Sequence, residues 1–474
     1  MIGKKQHSEP KLFYHGISLD RRVSQDHPLR RICNTVDFGF IRERVAPLYG
    51  TTGNPSVDPA VILKLMFLLF YENVKSERAL MEQLPLRLDW LWFCGYDLDE
   101  KTPDHSVISK ARRRWGLEVF TSFFENILTQ CVDSGLVDGQ TIHLDSSMID
   151  ANASKDKLQV QLRLVGSDLY DRLEQDSEPE TLEKKANPVD PDARLGKKYS
   201  QTTLGYKDHR TVDDKKGIIT STTTTPANVS DNHVLPAAIE THEANTGQTV
   251  KTTVADTIYG TLDNYQYLHG KDCKPCIPHQ KHGIVEAGKF SHDHFTYDKK
   301  QDCFVCPAGQ RLERYDRQRP RDGIGWRYRA PRQTCQACSF FSQCVSSKTA
   351  GRQVVRNVRT EYRQWADTCL SAPERKRLMA RRQAKAEGSF ADAANNHGYK
   401  RARWRGLPRV EIQNLMIAAT QNLRKLLKAI TPGKPAGVGI VAALERRLSV
   451  WGNILQRTLA PLGDLSKISV TKEF

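Results

Sequence analysis

Three acidic residues in three unlike segments constrain this chain most: Asp145, Asp256 and Glu387. Asp145 follows Ile142-His-Leu144 and Asp256 follows Thr253-Val-Ala255, both typical of short β-strands, whereas Glu387 lies in an Arg- and Ala-rich stretch typical of a helix. A single α/β fold can bring all three together. Crowded carboxylates raise one another's pKa, but two divalent cations with oxygen ligands would keep them ionised. Such a site can activate water for attack on a phosphodiester.

The overall charge indicates a polyanionic partner. The chain has 71 Lys and Arg against 55 Asp and Glu, a formal charge of +16 and a pI of about 9.3. Release of counterions would then drive binding to nucleic acid. Charge alone leaves an alternative open, in which the basic surface is solvated and has no nucleic-acid role.

Length and hydropathy limit the architecture and the compartment. With 474 residues and 39% hydrophobic residues, the chain has material for two or three buried cores. Residues 1–10 contain no apolar run of the secretory type, and the apolar stretch 60–71 is shorter than the ~20 residues that a membrane span requires. We therefore expect a cytoplasmic protein, associated with the nucleoid when bound to DNA.

Five of the eleven cysteines form a cluster. In a reducing compartment, closely spaced thiols hold metal more often than they form disulfides. Tetrahedral zinc requires four ligands, and the spacing can supply them from two tight turns. The alternative is a set of reduced thiols without metal. The clustered residues are Cys303, Cys306, Cys335, Cys338 and Cys344.

Residues 1–140 carry helical patterns. Asp58-Pro59 provides a cap and a first-turn proline for an apolar helix, and a second helix fits Ser76–Leu84. Thr102–Ser106 opens a helix that carries Arg112, Arg113 and Arg114. The pattern fits a DNA-binding module of the helix-turn-helix kind, and it fits equally an all-α cap whose arginines are solvated.

From Thr141 the pattern changes to period two, as in a strand with one buried face. Further strands are predicted at 204–212 and 218–225, joined by a turn at 213–217, and a helix is expected after 226–233. We interpret the charged, Pro-containing segment 155–198 as an excursion between strands that is partly disordered. The order of elements predicts a mixed-sheet α/β core compatible with an RNase H-like fold.

The final segments combine basic and aromatic residues. Asn395–Leu407 contains Lys400, Arg401, Arg403 and Trp404, a composition that suits phosphate contact and base stacking. A closing helix is expected over 410–427 because apolar residues recur there at helical spacing.

Together these motifs resemble the DDE transposases of bacterial insertion sequences, in the group with a helical N-terminal DNA-binding domain and a cysteine-containing insertion. The resemblance extends from about residue 15 to residue 428. It rests on seven ordered blocks: Asn54-Pro-Ser-Val-Asp-Pro59, Arg87-Leu-Asp-Trp-Leu-Trp-Phe-Cys-Gly95, Pro103-Asp-His-Ser106, residues 144–154, Ala255-Asp-Thr-Ile-Tyr-Gly260, Cys306-Pro-Ala-Gly309 and Glu387-Gly-Ser-Phe390.

The resemblance implies an RNase H-like core in which Asp145, Asp256 and Glu387 bind two Mg²⁺ ions. It also implies that the substrate is double-stranded DNA at the terminal inverted repeats, that the reactions are cleavage and strand transfer, and that a homodimer or higher multimer assembles. The cysteine pattern of relatives uses four thiols for zinc, with Cys303 as an alternative ligand: Cys306, Cys335, Cys338 and Cys344.

The chain departs from the family pattern at two positions around Glu387. Relatives usually carry a Lys two helical turns beyond the catalytic Glu, where this chain has Ala394, and the usual Tyr ahead of the Glu is not evident. Arg382 matches the Arg that accompanies that Tyr. Together with the basic residues noted above, the predicted DNA-binding residues are Arg112, Arg113, Arg114, Arg382, Lys400, Arg401, Arg403 and Trp404.

The predicted organisation has four parts. A helical N-terminal DNA-binding domain spans 1–140, the catalytic core 141–271 and 350–428, a zinc-ribbon-like insertion 272–349, and a tail 429–474. The predicted function is that of an active transposase. A second hypothesis is a catalytically silent regulator, derived from a transposase, that binds DNA ends without cutting them.

Overall fold

The computed structural model describes residue 3 and residues 18–163, 182–198, 201–279, 288–318, 325–345 and 351–430. The chain forms two compact units. Unit 1 contains Met1–Val229, Ala237–Thr249 and Gln383–Phe474, and unit 2 contains Ser230–Pro236 and Val250–Arg382. The predicted tail lies outside the described residues beyond Ile430.

The amino-terminal part of unit 1 is helical, as predicted. Asp58 caps the apolar helix α4, since its Oδ1 accepts a hydrogen bond from the N–H of Ala60 at 2.9 Å. Gly116, at φ 70°, interrupts the long helix α7. The helices are α1 (Leu19–Arg22), α2 (Pro28–Thr35), α3 (Ile41–Val45), α4 (Pro59–Tyr71), α5 (Glu77–Gln83), α6 (Leu88–Cys94) and α7 (Ser106–Asp133).

An antiparallel sheet follows in unit 1. Its longest strand is β5, which pairs with β1 along one edge and with β4 and β6 along the other. The predicted turn at 213–217 joins β5 to β6, and Gly217 adopts φ 68° there. The strands are β1 (Thr141–Asp150), β4 (Arg194–Lys198), β5 (Gln201–Asp213) and β6 (Ile219–Pro226).

One prediction about this region is wrong in detail, and the excursion contains two strands that the sequence did not predict. The expected single buried face of β1 fails at His143, which has no exposed surface and whose Nε2 lies 2.8 Å from Oδ1 of Asp214. Both faces of β1 are therefore covered at this position. In the excursion, β2 (Gln159–Arg163) and β3 (Leu182–Ala186) pair as an antiparallel ribbon, and residues 164–181 lie outside the described part.

The core of unit 1 is centred on the closing helix, here α15 (Leu407–Ala429). It packs against β6 on one side and against α4 and α7 on the other. Asn422 fixes it to the sheet, since its side chain accepts from the N–H of Ile219 at 2.8 Å and donates to the carbonyl of Ile219 at 2.7 Å. One apolar cluster joins residues of the helices α4 and α7 to residues of the sheet, so the hydrophobic core runs across residue 140.

Unit 2 contains a short parallel pair and a five-stranded antiparallel sheet. In the pair, β7 (Thr252–Val254) lies beside β8 (Lys274–Cys276). The sheet has the order β13-β12-β11-β10-β9. Its strands are β9 (Thr296–Asp298), β10 (Cys303–Val305), β11 (Arg311–Gln318), β12 (Gly325–Arg329) and β13 (Gln353–Asn357).

The remaining helices are divided between unit 2 and unit 1. No helix in the described part of the chain is long and apolar enough to cross a membrane. The helices are α8 (Leu235–Thr246), α9 (Leu262–Gly270), α10 (Arg332–Gln336), α11 (Phe341–Cys344), α12 (Thr360–Thr368), α13 (Ala372–Arg382) and α14 (Gly388–His397).

Candidate active site

Asp145 lies in the middle of β1, where it is half-buried. Its Oδ1 accepts a hydrogen bond from the N–H of Ser146 at 2.9 Å. The antiparallel register places Arg210 of β5 directly opposite Asp145. Opposite residues of an antiparallel pair project to the same face, so these two side chains share one face of the sheet. A carboxylate in mid-strand is held more precisely than one on a loop.

Glu387 is the last residue of a π-helical turn, Gln383–Glu387, which leads into α14. Turns of this kind contain one extra residue per turn and occur frequently at functional sites. The turn packs against β1 and β5, with Ala386 fully buried and Glu387 exposed. Unit 1 therefore brings the backbone that carries Glu387 against the strand that carries Asp145.

Asp256 belongs to unit 2 and is the second residue after β7. Its Oδ1 accepts from the N–H of Ile258 at 2.9 Å and so begins a short 3₁₀ turn. Burial raises the pKa of Asp256 above its usual value, the hydrogen bond from Ile258 and the guanidinium of Arg382 oppose this, and the buried Asp231 raises it further. A nearby cation would favour the charged form of such a carboxylate.

The donor set fits hard divalent cations, which take carboxylate oxygens. Within the described residues, no group of three or more His, Cys, Asp or Glu side chains is already arranged as a metal site. The approach of the Glu387 turn to the Asp145 strand is a contact within unit 1. The convergence of Asp256 with these two carboxylates stays a prediction.

The three arginines predicted to bind DNA on α7 differ in exposure. Arg113 and Arg114 are exposed, and the guanidinium of Arg114 lies 4.6 Å from the ring of Tyr49. Arg112 is buried and forms an ion pair with Glu77. The contacts of Arg112 are thus internal, whereas the other two face solvent.

The segment 400–404 contains four predicted DNA-binding residues in different surroundings. Lys400 is exposed and its Nζ donates to Oγ of Ser147 at 2.8 Å. Arg401 is exposed beside the end of β1. Arg403 donates to main-chain carbonyl groups, and burial lowers its pKa to about 10. The ring of Trp404 lies 3.7 Å from the guanidinium of Arg112.

A cavity of about 250 Å³ lies in front of Trp404. The aromatic ring forms part of its wall, and the cationic side chains of Lys75 and Arg78 lie at an exposed part of the same wall. Its other lining residues are Leu69, Ser76, Glu77, His105 and Arg403.

The cysteine cluster surrounds a small cavity of about 30 Å³ in unit 2. Four thiols line it, and Cys303 is buried on β10 outside this lining. The N–H of Gln310 donates to Sγ of Cys306 at 3.3 Å, and the N–H of Arg352 donates to Sγ of Cys335 at 3.4 Å. Backbone donors of this kind stabilise thiolate ligands. The four lining cysteines are Cys306, Cys335, Cys338 and Cys344.

Two family models match the chain. Residues 17–114 match a model described as "Transposase domain (DUF772)", and residues 305–427 match one described as "Transposase DDE domain". Both matched ranges are those of transposases, which supports an insertion-sequence DDE transposase. This confirms the resemblance drawn from the sequence motifs. A comparison with curated proteins gave no match.

The two matches cover different parts of the transposase. The first includes the arginines of α7, and the second includes Glu387 and the four cavity-lining cysteines. Asp145 and Asp256 lie between the two matched ranges, so their assignment depends on the motifs and on the contacts described above.

Sequence reasoning missed two charged residues of the transposase. Asp208 and Arg210, on β5, have no exposed surface and form an ion pair at 2.8 Å. They occupy alternate positions of a predicted strand, so they share the face that carries Asp145. The signal available in the sequence was a pair of opposite charges two residues apart in a predicted strand.

Proposed function

We propose that this transposase binds the terminal inverted repeats of an insertion sequence and catalyses Mg²⁺-dependent DNA cleavage and strand transfer on an RNase H-like core. The observation that carries the proposal is the packing of the Glu387 turn on the Asp145 strand, in a chain that matches a transposase DDE domain. The helical amino-terminal region and the basic charge of the chain suit a DNA substrate.

In this proposal Asp145, Asp256 and Glu387 would hold two Mg²⁺ ions through their carboxylate oxygens. When bound, the ions supply Lewis acidity for an in-line displacement at phosphorus. Asp145 is suited to hold a metal ion because its mid-strand placement fixes its carboxylate.

Exposed cations of unit 1 are proposed to position the DNA backbone. Lys400 is held by Ser147, two residues beyond Asp145 on the same face of β1. Arg401, Arg113 and Arg114 are exposed as well. Phosphate contacts of this kind fix the register of DNA without reading its sequence. In unit 2, the guanidinium of Arg382 lies near Asp256. We propose that it contacts a DNA phosphate there.

Trp404 is proposed to stack on an unpaired base within the cavity of about 250 Å³. Arg112 covers the Trp404 ring and Arg403 anchors the segment through main-chain carbonyl groups. We therefore propose that these two arginines assist DNA binding by supporting Trp404. Lys75 and Arg78 at the cavity wall would meet the phosphates of the same nucleotide.

Zinc is proposed for the four thiols that line the cavity in unit 2. Four thiolates satisfy a closed tetrahedral site, and such sites stabilise small domains with little apolar core. The apolar cluster around the five-stranded sheet is small, with six buried residues among those described. Cys303 lies outside the cavity lining and is the alternative ligand.

Replacement of the proposed ligands tests the function. Asp145→Asn, Asp256→Asn and Glu387→Gln should each lower Mg²⁺-dependent cleavage of a supercoiled plasmid that carries the element ends by at least about 100-fold, because each removes a charged metal ligand. Binding to the ends, measured by gel shift, should stay within about two-fold of the parent protein, since the phosphate contacts remain.

The matched control is Asp150→Asn, an exposed acidic residue on the same strand. It should cleave like the parent protein. Retained cleavage by Asp145→Asn would overturn the assignment. Absence of cleavage by the parent protein, together with intact end binding, would favour the regulator that binds without cutting. Sedimentation of the complex would show whether two or more subunits join two ends.

A further inference from the structure

We propose that Arg210 is a positioning residue, which sets the spacing between the Asp145 strand and the Glu387 helix so that both carboxylates can hold the same metal ions. This inference rests on the proposed function. It concerns a residue that binds neither metal nor DNA in that proposal, and the motifs give it no role.

Strand pairing places Arg210 on the same face of the sheet as Asp145. The register of β1 and β5 places the two residues directly opposite each other. Side chains at opposite positions have Cβ atoms about 4.5–5.5 Å apart and share one face. The guanidinium therefore extends over the same face of the sheet as Asp145.

The guanidinium connects three elements. Its Nε donates to Oδ2 of Asp208 at 2.8 Å, which holds it to β5. Its Nη1 donates to the carbonyl of Ser389 at 3.3 Å and to Oε1 of Gln421 at 2.9 Å. Ser389 lies two residues after Glu387, and Gln421 belongs to α15. One planar side chain thus fixes the first turn of α14 relative to the strands.

Aromatic contacts hold the same geometry. The guanidinium carbon lies 4.7 Å from the ring centroid of Phe390 and 5.0 Å from that of Tyr399. Phe390 is in the first turn of α14. A guanidinium has a fixed plane and a fixed fork of donors, so it constrains its neighbours more tightly than a Lys or an apolar side chain would.

Stability alone is a weak reason for a charge at this place. Arg210 and Asp208 have no exposed surface, and Nη2 of Arg210 has no hydrogen-bond partner within the described residues. Desolvating an ion pair is costly, and apolar residues of similar volume often serve a fold equally well. The precise geometry that the fork imposes beside Asp145 gives the pair a role that apolar residues could not fill.

The test compares metal requirement with folding. The double variant Arg210→Met/Asp208→Leu removes both charges together, and Arg210→Lys keeps the charge but loses the fork. For each folded protein, two quantities are measured: the affinity for Mn²⁺ by electron paramagnetic resonance without DNA, and the Mg²⁺ concentration that gives half-maximal cleavage. Thermal unfolding and end binding are followed in parallel.

We expect both variants to need about ten-fold more metal and to bind Mn²⁺ about ten-fold more weakly, as is typical when a residue that orients metal ligands is lost. End binding should be unchanged. The matched control is Arg30→Met, another buried arginine stacked on an aromatic ring, Trp92, at 4.4 Å. It should lower thermal stability without altering the metal requirement.

Parent-like Mn²⁺ affinity and Mg²⁺ requirement in Arg210→Lys and in the double variant would overturn the inference. If neither variant folds while Arg30→Met does, Arg210 serves folding and the inference is also overturned. Asp145→Asn is measured alongside. Cleavage by that variant would contradict the proposed function itself, whereas an inactive Asp145→Asn with parent-like Arg210 variants would reject the positioning role alone.

Discussion

At the scale of single residues, the face of the sheet that carries Asp145 is unusually polar for a buried surface. Asp208 and Arg210 form a buried ion pair on β5, and Glu411 of α15 lies near enough to Asp208 for its pKa to respond to that charge. The carboxylate of Glu411 accepts the N–H of Thr224. Burial raises the pKa of Glu411 to about 7, the hydrogen bonds from Thr224 oppose this, and the charge of Asp208 raises it further. A carboxyl group with this pKa changes its charge near neutral pH.

The first prediction concerns Glu411→Gln. Between the ordinary value of 4.5 and the raised value of about 7, the folded protein binds more protons at Glu411 than the unfolded chain, so stability falls as pH rises through this window. Gln retains an acceptor for Thr224 and carries no charge. At pH 8 the variant should therefore exceed the parent protein by about 1–2 kcal/mol in free energy of unfolding, and at pH 4.5 the difference should be small. Urea titrations at both pH values measure it, and an equal difference at both would contradict the raised pKa.

At the scale of elements, the five-stranded sheet of unit 2 depends on more than its apolar residues. Its buried cluster consists of Phe295, Phe304, Leu312, Tyr328, Ala330 and Val354. The short helices α10 and α11 carry two of the four cavity-lining cysteines, and Cys338 lies between them. Helices of four or five residues are not stable by themselves. A metal bound to the thiols would hold them in place.

The second prediction concerns the thiols. Cys338→Ser should reduce bound zinc, measured by atomic absorption on purified protein, from one ion per chain to near zero, because the closed site loses a ligand. Proteolysis should then cut within residues 331–345 much faster than in the parent protein. The control is Cys303→Ser, which lies outside the cavity lining and should retain zinc. If Cys303→Ser loses zinc and Cys338→Ser retains it, Cys303 is the ligand in place of Cys338. If the parent protein carries no zinc, the proposed site is rejected.

At the scale of the whole molecule, unit 1 combines the amino-terminal helices and the sheet in one core. The carbonyl of Phe70 lies 2.8 Å from Nδ1 of His397, and Nη2 of Arg424 donates to the carbonyl of Tyr71 at 2.9 Å. These contacts join the end of α4 to α14 and α15. The sequence-based boundary at residue 140 therefore divides a continuous hydrophobic core.

The third prediction follows from this shared core. A truncated protein that begins at residue 141 would expose the face of α15 that packs on α4 and α7, and should lose cooperative thermal unfolding and near-ultraviolet circular dichroism. The full chain is the control and should show the sheet and these helices melting in one transition. A truncated protein with a sharp transition would show that the region before residue 141 is an independent domain.

Local signals account for what the sequence predicted correctly. Asp58-Pro59 marks the start of α4, and residues 213–217 mark the turn between β5 and β6, because caps and turns are determined by neighbours in the chain. The burial of His143 and the contacts of Arg210 depend on Asp214 and Gln421, which are distant in sequence. Composition and periodicity do not predict such pairings. No sequence pattern predicted the π turn before α14.

That π turn determines which way the helix after it points. A π turn is an α-helix with one residue added, and each residue of an α-helix advances the direction of side chains by about 100°. Removal of Ala384 alone would return the turn Gln383–Glu387 to ordinary helical geometry. Every side chain from Glu387 onward would then turn by about 100° about the helix axis relative to Gln383. The length of this five-residue segment, more than the identity of its residues, therefore sets the direction of the Glu387 carboxylate.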